Sequence, residues 1–472
     1  MRSFLKRKDA AEKEKGAAEG SGPGDACSWL FSILPSCARN PPVPSLSDPL
    51  RLPCGVVLKN RLAKAAMTEG IADHLNRATE RHATLYRRWA KGGPALLITG
   101  NVMIDRRYLE RPGNVAIDGP QTEEQRRRLA DYARAATDNG AAIFAQLSHA
   151  GRQTPSYVAA EPVGPSAVAV KLPGGSYGPP RALSGEEILN VVERFVHAAI
   201  ECKRAGFSGV QIHAAHGYLL SEFLNPLANR REDEWGGSLE NRARLLVSTV
   251  RAVRARVGGG YPVSVKLNSS DFQKGGYSFE ECLQIVRWLN DEGVDLLEIS
   301  GGSYEQPMMI GLGGAMEPVV EAGVRKSTIE REAYFLEYAE KVAEIASMPL
   351  MVTGGFRSRA AMNGAIESGG ADIIGLARPL CVDPDLPGRL IAGAVVAAPA
   401  WEKILRLGPG FLGPGSPSSL VKALNGFGAM AFFYENIYRL ADGEEPVRRA
   451  ALLPAFIRFQ RAERAAARAL AR

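Results

Sequence analysis

Long hydrophobic runs are missing from this 472-residue sequence. The longest candidate, Leu390 to Ala400, is short and is interrupted by Gly393 and Pro399. A membrane span takes about 18 or more consecutive apolar residues, so membrane insertion is excluded. Cysteine is sparse: Cys27, Cys37, Cys54, Cys202, Cys282 and Cys381 stand far apart, with no CxxC pair. That spacing argues for free thiols in a reducing compartment, the cytoplasm by default, and against zinc or an iron–sulfur cluster. The net charge is +7, yet no basic stripe is interleaved with stacking aromatics, so nucleic acid is not an indicated partner. A P-loop and an HExxH helix are both absent. Two glycine patterns occur out of context. Gly408-Pro-Gly410-Phe-Leu-Gly413 fits GxGxxG, but a helix-like segment precedes it and prolines follow, where a strand and then a helix are required. Gly174-Gly-Ser176-Tyr-Gly178 fits GxSxG but lies in a Pro/Gly loop without the strand–turn–helix elbow.

What is present is the composition of an ordinary globular chain, 45% hydrophobic and 23% charged, which predicts a large buried core. Residues 1–44 read as a disordered leader, with mixed charge from Arg2 to Glu19, a GSGPGD stretch and then Pro41-Pro42. Its acidic residues Asp9, Glu12, Glu14 and Glu19 are atypical of a transit peptide. Over residues 45–395, short β-branched-rich runs alternate with longer stretches of helical period. Strands are predicted at Arg61 to Met67, Ala95 to Asn101, Ala141 to Leu147, Gly209 to His213, Pro262 to Leu267, Val294 to Ser300, Pro349 to Thr353 and Ala371 to Leu376. Helices are predicted at Thr122 to Asp138, Ser184 to Ala205, Leu239 to Val257, Phe279 to Glu292 and Arg331 to Ile345. Thr122, Ser184 and Ser278 are the capping residues. Eight apolar strands, each followed by a helix, fit an α/β fold of the closed (β/α)8 TIM barrel kind better than an open doubly wound sheet. Residues 396–472 read as a C-terminal helical extension, with a helix over Leu420 to Leu440 and an Ala/Arg-rich end.

Strand C-termini of such a barrel converge on one mouth, which makes polar residues there candidate site groups. They are Thr68, Gly100, Gln146, His213 with His216 and Tyr218, Lys266, Gly354 with Gly355, and Arg378. The histidine pair admits three readings. It could ligate a metal, although no cysteine or carboxylate stands nearby at zinc spacing. It could grip one carbonyl oxygen of a substrate while Tyr218 supplies a proton. Or it merely caps a loop.

From His213 the sequence runs on through Asn225-Pro226-Leu-Ala-Asn229-Arg-Arg-Glu-Asp-Glu-Trp235-Gly236-Gly237-Ser238-Leu-Glu-Asn241-Arg242. This stretch resembles the signature of the Old Yellow Enzyme family of FMN-dependent ene-reductases, also described as NADH:flavin oxidoreductases. Leu58-Lys-Asn60-Arg61, Ala66-Met67-Thr68, Gln146-Leu-Ser-His149-Ala-Gly151-Arg152, Thr353-Gly354-Gly355-Phe356 and Gly375-Leu-Ala377-Arg378-Pro379 support it in the same order. The resemblance implies FMN across the barrel mouth. Ala66, Met67 and Thr68 would border it, with Thr68 hydrogen-bonding the flavin O4 and N5 edge. Gly100 would leave room for the ring, Gln146 would pair with its pyrimidine side, and Lys266 would sit beside N1 and O2. Gly354, Gly355, Ala377 and Arg378 would hold the phosphate, where barrels commonly bind one. No metal is implied. Lys266 stands where the family more often has arginine, and Ala377 where glycine is common. Lysine keeps the charge but loses the planar fork, which implies a shifted redox potential, as does Thr68 where some relatives have cysteine.

The resemblance further implies two half-reactions through one site. NADH or NADPH reduces the flavin, and a small-molecule enone or nitroalkene is then held by His213 and His216. Flavin hydride goes to the β carbon and Tyr218 protonates the α carbon. The same flavin fold could instead serve a different substrate. Dienoyl-thioester and amine-oxidising relatives carry a cysteine-ligated cluster and a second dinucleotide domain, for which lone Cys381 and the short remainder of the chain give no basis. Two rival readings lie further off: a barrel that binds without turnover, and a cofactor-free lyase using Lys266 as a Schiff-base nucleophile. The natural substrate, the choice of NADH or NADPH, and homo-oligomer formation stay open, because loops such as Gly302 to Lys326 shape the pocket without a motif.

Overall fold

Apolar runs too short for helices, and apolar on both faces, need a packing layer on either side. In the computed structural model, which describes residues 44–170, 176–302, 336–449 and 451–470, eight such runs pair in parallel and close on themselves. They are Leu62–Lys64, Leu96–Met103, Ala142–Ser148, Gly209–Ala214, Val263–Asn268, Leu296–Ser300, Leu350–Thr353 and Ile373–Leu376. The eighth strand lies against the first, Ile374 opposite Leu62 and Leu376 opposite Lys64, which completes a (β/α)8 barrel. The first strand is shorter than the predicted Arg61 to Met67 because its ladder with both neighbours runs only over Leu62–Lys64. The leader, Cys27 and Cys37, the start of the 174–178 pattern, most of the 302–326 loop and the beginning of the helix predicted at Arg331 lie outside the described residues.

Successive strand residues face opposite sides. Ala63, Leu96, Ile98, Phe144, Leu296, Met351 and Ile373 cluster together, and Leu50, Leu52 and Leu58 of the hairpin Leu50–Arg51/Val57–Leu58 pack onto them. Because Cys54 N–H in that hairpin donates to Asp295, just before the sixth strand, the hairpin plugs the N-terminal end of the barrel. Their strand neighbours Leu62, Leu97, Ile143, Val210, Ile212 and Val265 belong to the larger core beneath the helices. The predicted caps are formed. Thr122, Ser184 and Ser278 accept from the backbone three residues on, and Gln125, Glu187 and Glu281 reach back to the cap, fixing helices Glu123–Thr137, Gly185–Arg204 and Phe279–Asp291.

The chain beyond the barrel is helical. Helices Ser419–Ala441 and Leu452–Leu470 lie side by side and run the same way, with Phe427 stacked on Phe456, Tyr434 on Phe459, and Arg458 paired with Glu435. Arg81 on the helix Glu80–Lys91 grips Asp442 with two hydrogen bonds and ties the pair to the barrel. The GxGxxG pattern is a short 3-10 turn, Gly410–Leu412. Among the described residues no helix is long and apolar enough to cross a membrane, and Cys54, Cys202, Cys282 and Cys381 are free.

Three buried histidines, His82, His149 and His213, and the half-buried His216 make the fold acid-sensitive. Burial pulls His82 and His149 down to about 4, and holds His213 and His216 well below their usual range. Each binds a proton near pH 6.5 once unfolded but resists it when folded. Their stabilisation is therefore present above about pH 6.5 and is lost as the pH falls toward 4, by about 1.4 kcal/mol per pH unit for each group. Thermal melts between about pH 7.5 and pH 4.5 should show Tm dropping once the pH passes below about 6.5. A Tm that stays flat through this window would mean that the rings are not sealed from water.

Candidate active site

The residues singled out at the strand ends all lie at the C-terminal end of the barrel. Thr68 follows the first strand, Gly100 and Gln146 lie in the second and third, and His213 and Lys266 in the fourth and fifth. Gly354 and Gly355 follow the seventh strand, and Ala377 and Arg378 the eighth. Strand register brings Lys266 directly opposite both His213 and Glu298, and Gln146 opposite Gln211.

A buried chain of polar groups links these positions. Gln146 Nε2 donates to Gln211 Oε1 at 2.7 Å, Gln211 Nε2 donates to Glu298 Oε2 at 2.9 Å, and Lys266 Nζ lies 3.0 Å from Glu298 Oε1. None of the four is more than 4% exposed. The contact between Lys266 and Glu298 is an ion pair without hydrogen-bond alignment at Oε1. Gln146 gives one of its two amide hydrogens to Gln211, and its Oε1 accepts from no described residue. A second lysine, Lys64, is also fully buried. Its Nζ donates to Ile98 O at 2.6 Å and bonds the Tyr86 hydroxyl at 3.0 Å, and burial pulls it down to about 8. Sequence reasoning missed Gln211 and Glu298. Gln211 stands two residues before His213 and so on the same strand face, and Glu298 is the one charge within Leu296-Leu-Glu298-Ile-Ser300.

Around Thr68 the site is acidic. Thr68 Oγ1 donates to Glu110 Oε2 at 2.8 Å, while Asn101 Nδ2 approaches both at 3.4 Å. Next in the chain, buried Glu69 accepts from Gly100 N at 2.9 Å, from the Tyr132 hydroxyl at 3.1 Å and from the Tyr86 hydroxyl. A Cβ at Gly100 would fall 2.3 Å from Glu69 Oε2 and 2.6 Å from Thr68 Cα, so the chain's own packing already requires glycine there.

The histidines are held in defined states. Burial, with Lys266 nearby, keeps both imidazoles neutral at physiological pH. Ala215 N–H donates to His213 Nδ1 at 3.2 Å, which assigns the proton of that ring to Nε2. His216 Nε2 is 2.6 Å from Ser300 Oγ. Its backbone is left-handed, φ 65°, an uncommon conformation for a residue with a side chain. Asn268 Oδ1 accepts from its N–H at 3.2 Å, and its carbonyl accepts from Gln153 Nε2 at 2.9 Å, so the strain is pinned from both sides. The two rings are 5.1 Å apart, edge to face, and the Tyr218 ring is 4.9 Å from His213. Tyr218 is buried against Met103, Leu109, Ala116 and Ala150.

At the other end of the mouth, Gly354 and Gly355 have φ of 120° and 80°, backbone that glycine adopts without steric cost. The Thr353 hydroxyl is buried without a hydrogen-bond partner, and Arg378 is exposed and makes no ion pair with any described residue. Cys381 Sγ touches Met67 Sδ at 3.6 Å, and burial pushes its thiol up to about 12, so it packs rather than reacts. Among the described residues no group of three or more His, Cys, Asp or Glu is arranged to hold a metal.

Comparison with known proteins identifies the family. Residues 45–395 fit the profile of the NADH:flavin oxidoreductase / NADH oxidase family. The NADH-dependent flavin oxidoreductase iliE of Hypocrea jecorina is 37% identical over 358 residues, covering 72% of this chain and 87% of that protein. The NADH oxidase of Thermoanaerobacter brockii is 32% identical over 72% of this chain, which spans only 49% of that longer protein. Among solved structures, an old yellow enzyme homologue from Zymomonas mobilis superposes with a TM-score of 0.61 at 30% identity, over 75% of this chain and 94% of its own. This chain is thus a member of the NADH:flavin oxidoreductase / NADH oxidase family, an NAD(P)H-dependent oxidoreductase of the Old Yellow Enzyme type.

Proposed function

We propose that the chain binds FMN across the barrel mouth and uses NADH or NADPH to reduce the activated double bond of α,β-unsaturated carbonyl or nitro compounds. The observation that carries this reading is the neutral His213/His216 pair with Tyr218 beside it, on the strand next to Lys266. The donor set suits a flavin mononucleotide. Gln146 has a spare acceptor for a ring N–H, Lys266 is a cation for the pyrimidine side, and Thr68, whose proton goes to Glu110, lies at the opposite edge. Gly354, Gly355, Ala377 and Arg378, which makes no ion pair among the described residues, suit a phosphate. Residues 45–395 would form the catalytic domain and 396–472 its extension. A solved relative, morphinone reductase, binds tetrahydroNAD, which supports a nicotinamide as the reductant here.

Bound FMN would supply the hydride-transfer chemistry. The chain's own part is position and protons. His213 carries its proton on Nε2 and serves as a donor through it. If Ser300 donates to His216 Nε2, the second ring carries its proton on Nδ1, giving two neutral donors for one substrate oxygen. Tyr218 is the proton source for the α carbon. The ammonium of Lys266 is already engaged by Glu298, which disfavours its use as a Schiff-base nucleophile.

The test is an anaerobic absorbance trace on FMN-loaded protein, reduced with NADH or NADPH and then given 2-cyclohexenone. Bleaching of the flavin band followed by its return is the expected result. Protein that takes up no FMN would remove the cofactor assignment. Flavin that is reduced but not reoxidised by the enone would keep the cofactor and discard the substrate class.

A further inference from the structure

The helices beyond residue 395 lie outside the stretch shared with the family, yet they reach the mouth. The link is Arg111, only 4% exposed. Its guanidinium lies 4.2 Å from the Tyr434 ring centre and 5.2 Å from that of Phe459. Its Nη2 donates to Glu463 and, at 3.1 Å, to the Tyr438 hydroxyl. Tyr434 and Tyr438 belong to one helix of the pair, Phe459 and Glu463 to the other, so one arginine is clamped by both. At the far end of the second helix, Leu470 packs against the cluster of Met103, Leu109, Ala116, Ala150 and Tyr218.

The residue before Arg111 is Glu110, whose Oε2 receives the Thr68 hydroxyl at 2.8 Å and the Asn114 amide at 3.3 Å. Asn114 Oδ1 in turn accepts from Arg111 N–H at 2.7 Å. Clamping Arg111 therefore fixes the short loop that presents the Glu110 carboxylate to Thr68. We propose that Glu110 is a potential-setting residue at the Thr68 edge of the flavin, and that Arg111 and Glu463 are positioning residues through which the C-terminal helix pair holds it there. This rests on the reading that FMN lies against Thr68.

A threonine hydroxyl has a single proton, and Glu110 takes it, so Thr68 turns lone pairs rather than a donor toward its other neighbours. A carboxylate one hydrogen bond behind that hydroxyl also opposes the gain of negative charge beside it. The balancing cation on the other side of the mouth, Lys266, is already paired with Glu298. The fixed anion sets the sign: it disfavours reduction of flavin bound against Thr68. Neutralising Glu110 should raise the midpoint potential.

The measurement is the midpoint potential of bound FMN in the full chain, taken by equilibrium with a reference dye, with FMN affinity and thermal melting recorded alongside. Glu110→Gln should shift the reduction equilibrium at least tenfold toward reduced flavin, about 30 mV upward for a two-electron couple. Glu463→Gln, remote from the ring but loosening the clamp, should move it the same way by less. Glu110→Ala replaces the glutamine variant if that one fails to fold. An unchanged potential in a folded, flavin-loaded Glu110 variant overturns the assignment while leaving the flavin reading intact. A shift with Glu110→Gln but none with Glu463→Gln overturns the role of the helix pair. A parent protein that takes up no FMN removes both readings together.

Discussion

Replacing Tyr218 with phenylalanine should slow reoxidation of the reduced, flavin-loaded protein by an enone about 10²–10⁴-fold, the range for loss of a positioned proton donor. Reduction by NADH or NADPH should stay close to the parent rate, because that half-reaction needs no proton from this side chain. The substitution is conservative for packing. The ring sits in an apolar setting of Met103, Leu109, Ala116 and Ala150, and phenylalanine retains that contact. Stopped-flow traces of the two half-reactions separate the cases. A variant slowed equally in both would point to a displaced loop, and one slowed in neither would show that the α-carbon proton comes from elsewhere.

Glu298→Ala should unfold the protein more readily than any surface change. It removes the partner of Lys266 and the acceptor of Gln211 in one step, leaving an ammonium only 4% exposed without a counter-charge. Breaking a buried ion pair from one side costs about 3–5 kcal/mol. At about 2.1 cal/mol/K per residue this lowers Tm by only about 3–5 °C in a chain of this length. Denaturant titration gives the cleaner number, read as a fall in the unfolding midpoint. Glu298→Gln, which can still bond Gln211, should lose less. Equal losses in the two variants would mean that the charge, not the hydrogen bond, carries the stabilisation.

The barrel was legible because the signals that specify it are local. Apolar runs of strand length, helical periods between them and the cap residues Thr122, Ser184 and Ser278 recur along the chain, and those caps close as their chemistry requires. Strand limits were less legible, since Leu62–Lys64 ends where its ladder partners end, and partners are not written in the strand itself. The same distinction runs through the site. His213, His216, Tyr218 and Lys266 stand at strand ends and could be picked out one at a time. The linkage of Gln146 through Gln211 to Glu298 joins three strands, so only closure of the barrel brings it about. Arg111 and Glu463 are 352 residues apart, and nothing local to either announces the other.

On the proposed mechanism, the left-handed backbone of His216 sets function against stability at a single position. Glycine would sit there without the strain of about 1–3 kcal/mol that a side chain incurs, offset by about 0.5–1 kcal/mol of extra freedom in the unfolded chain. Selection acting on thermal tolerance alone would drift toward the smaller residue and discard one of the two imidazole donors. The persistence of histidine at position 216 in a more heat-resistant descendant would thus be a sign that turnover, and not folding, had been under selection.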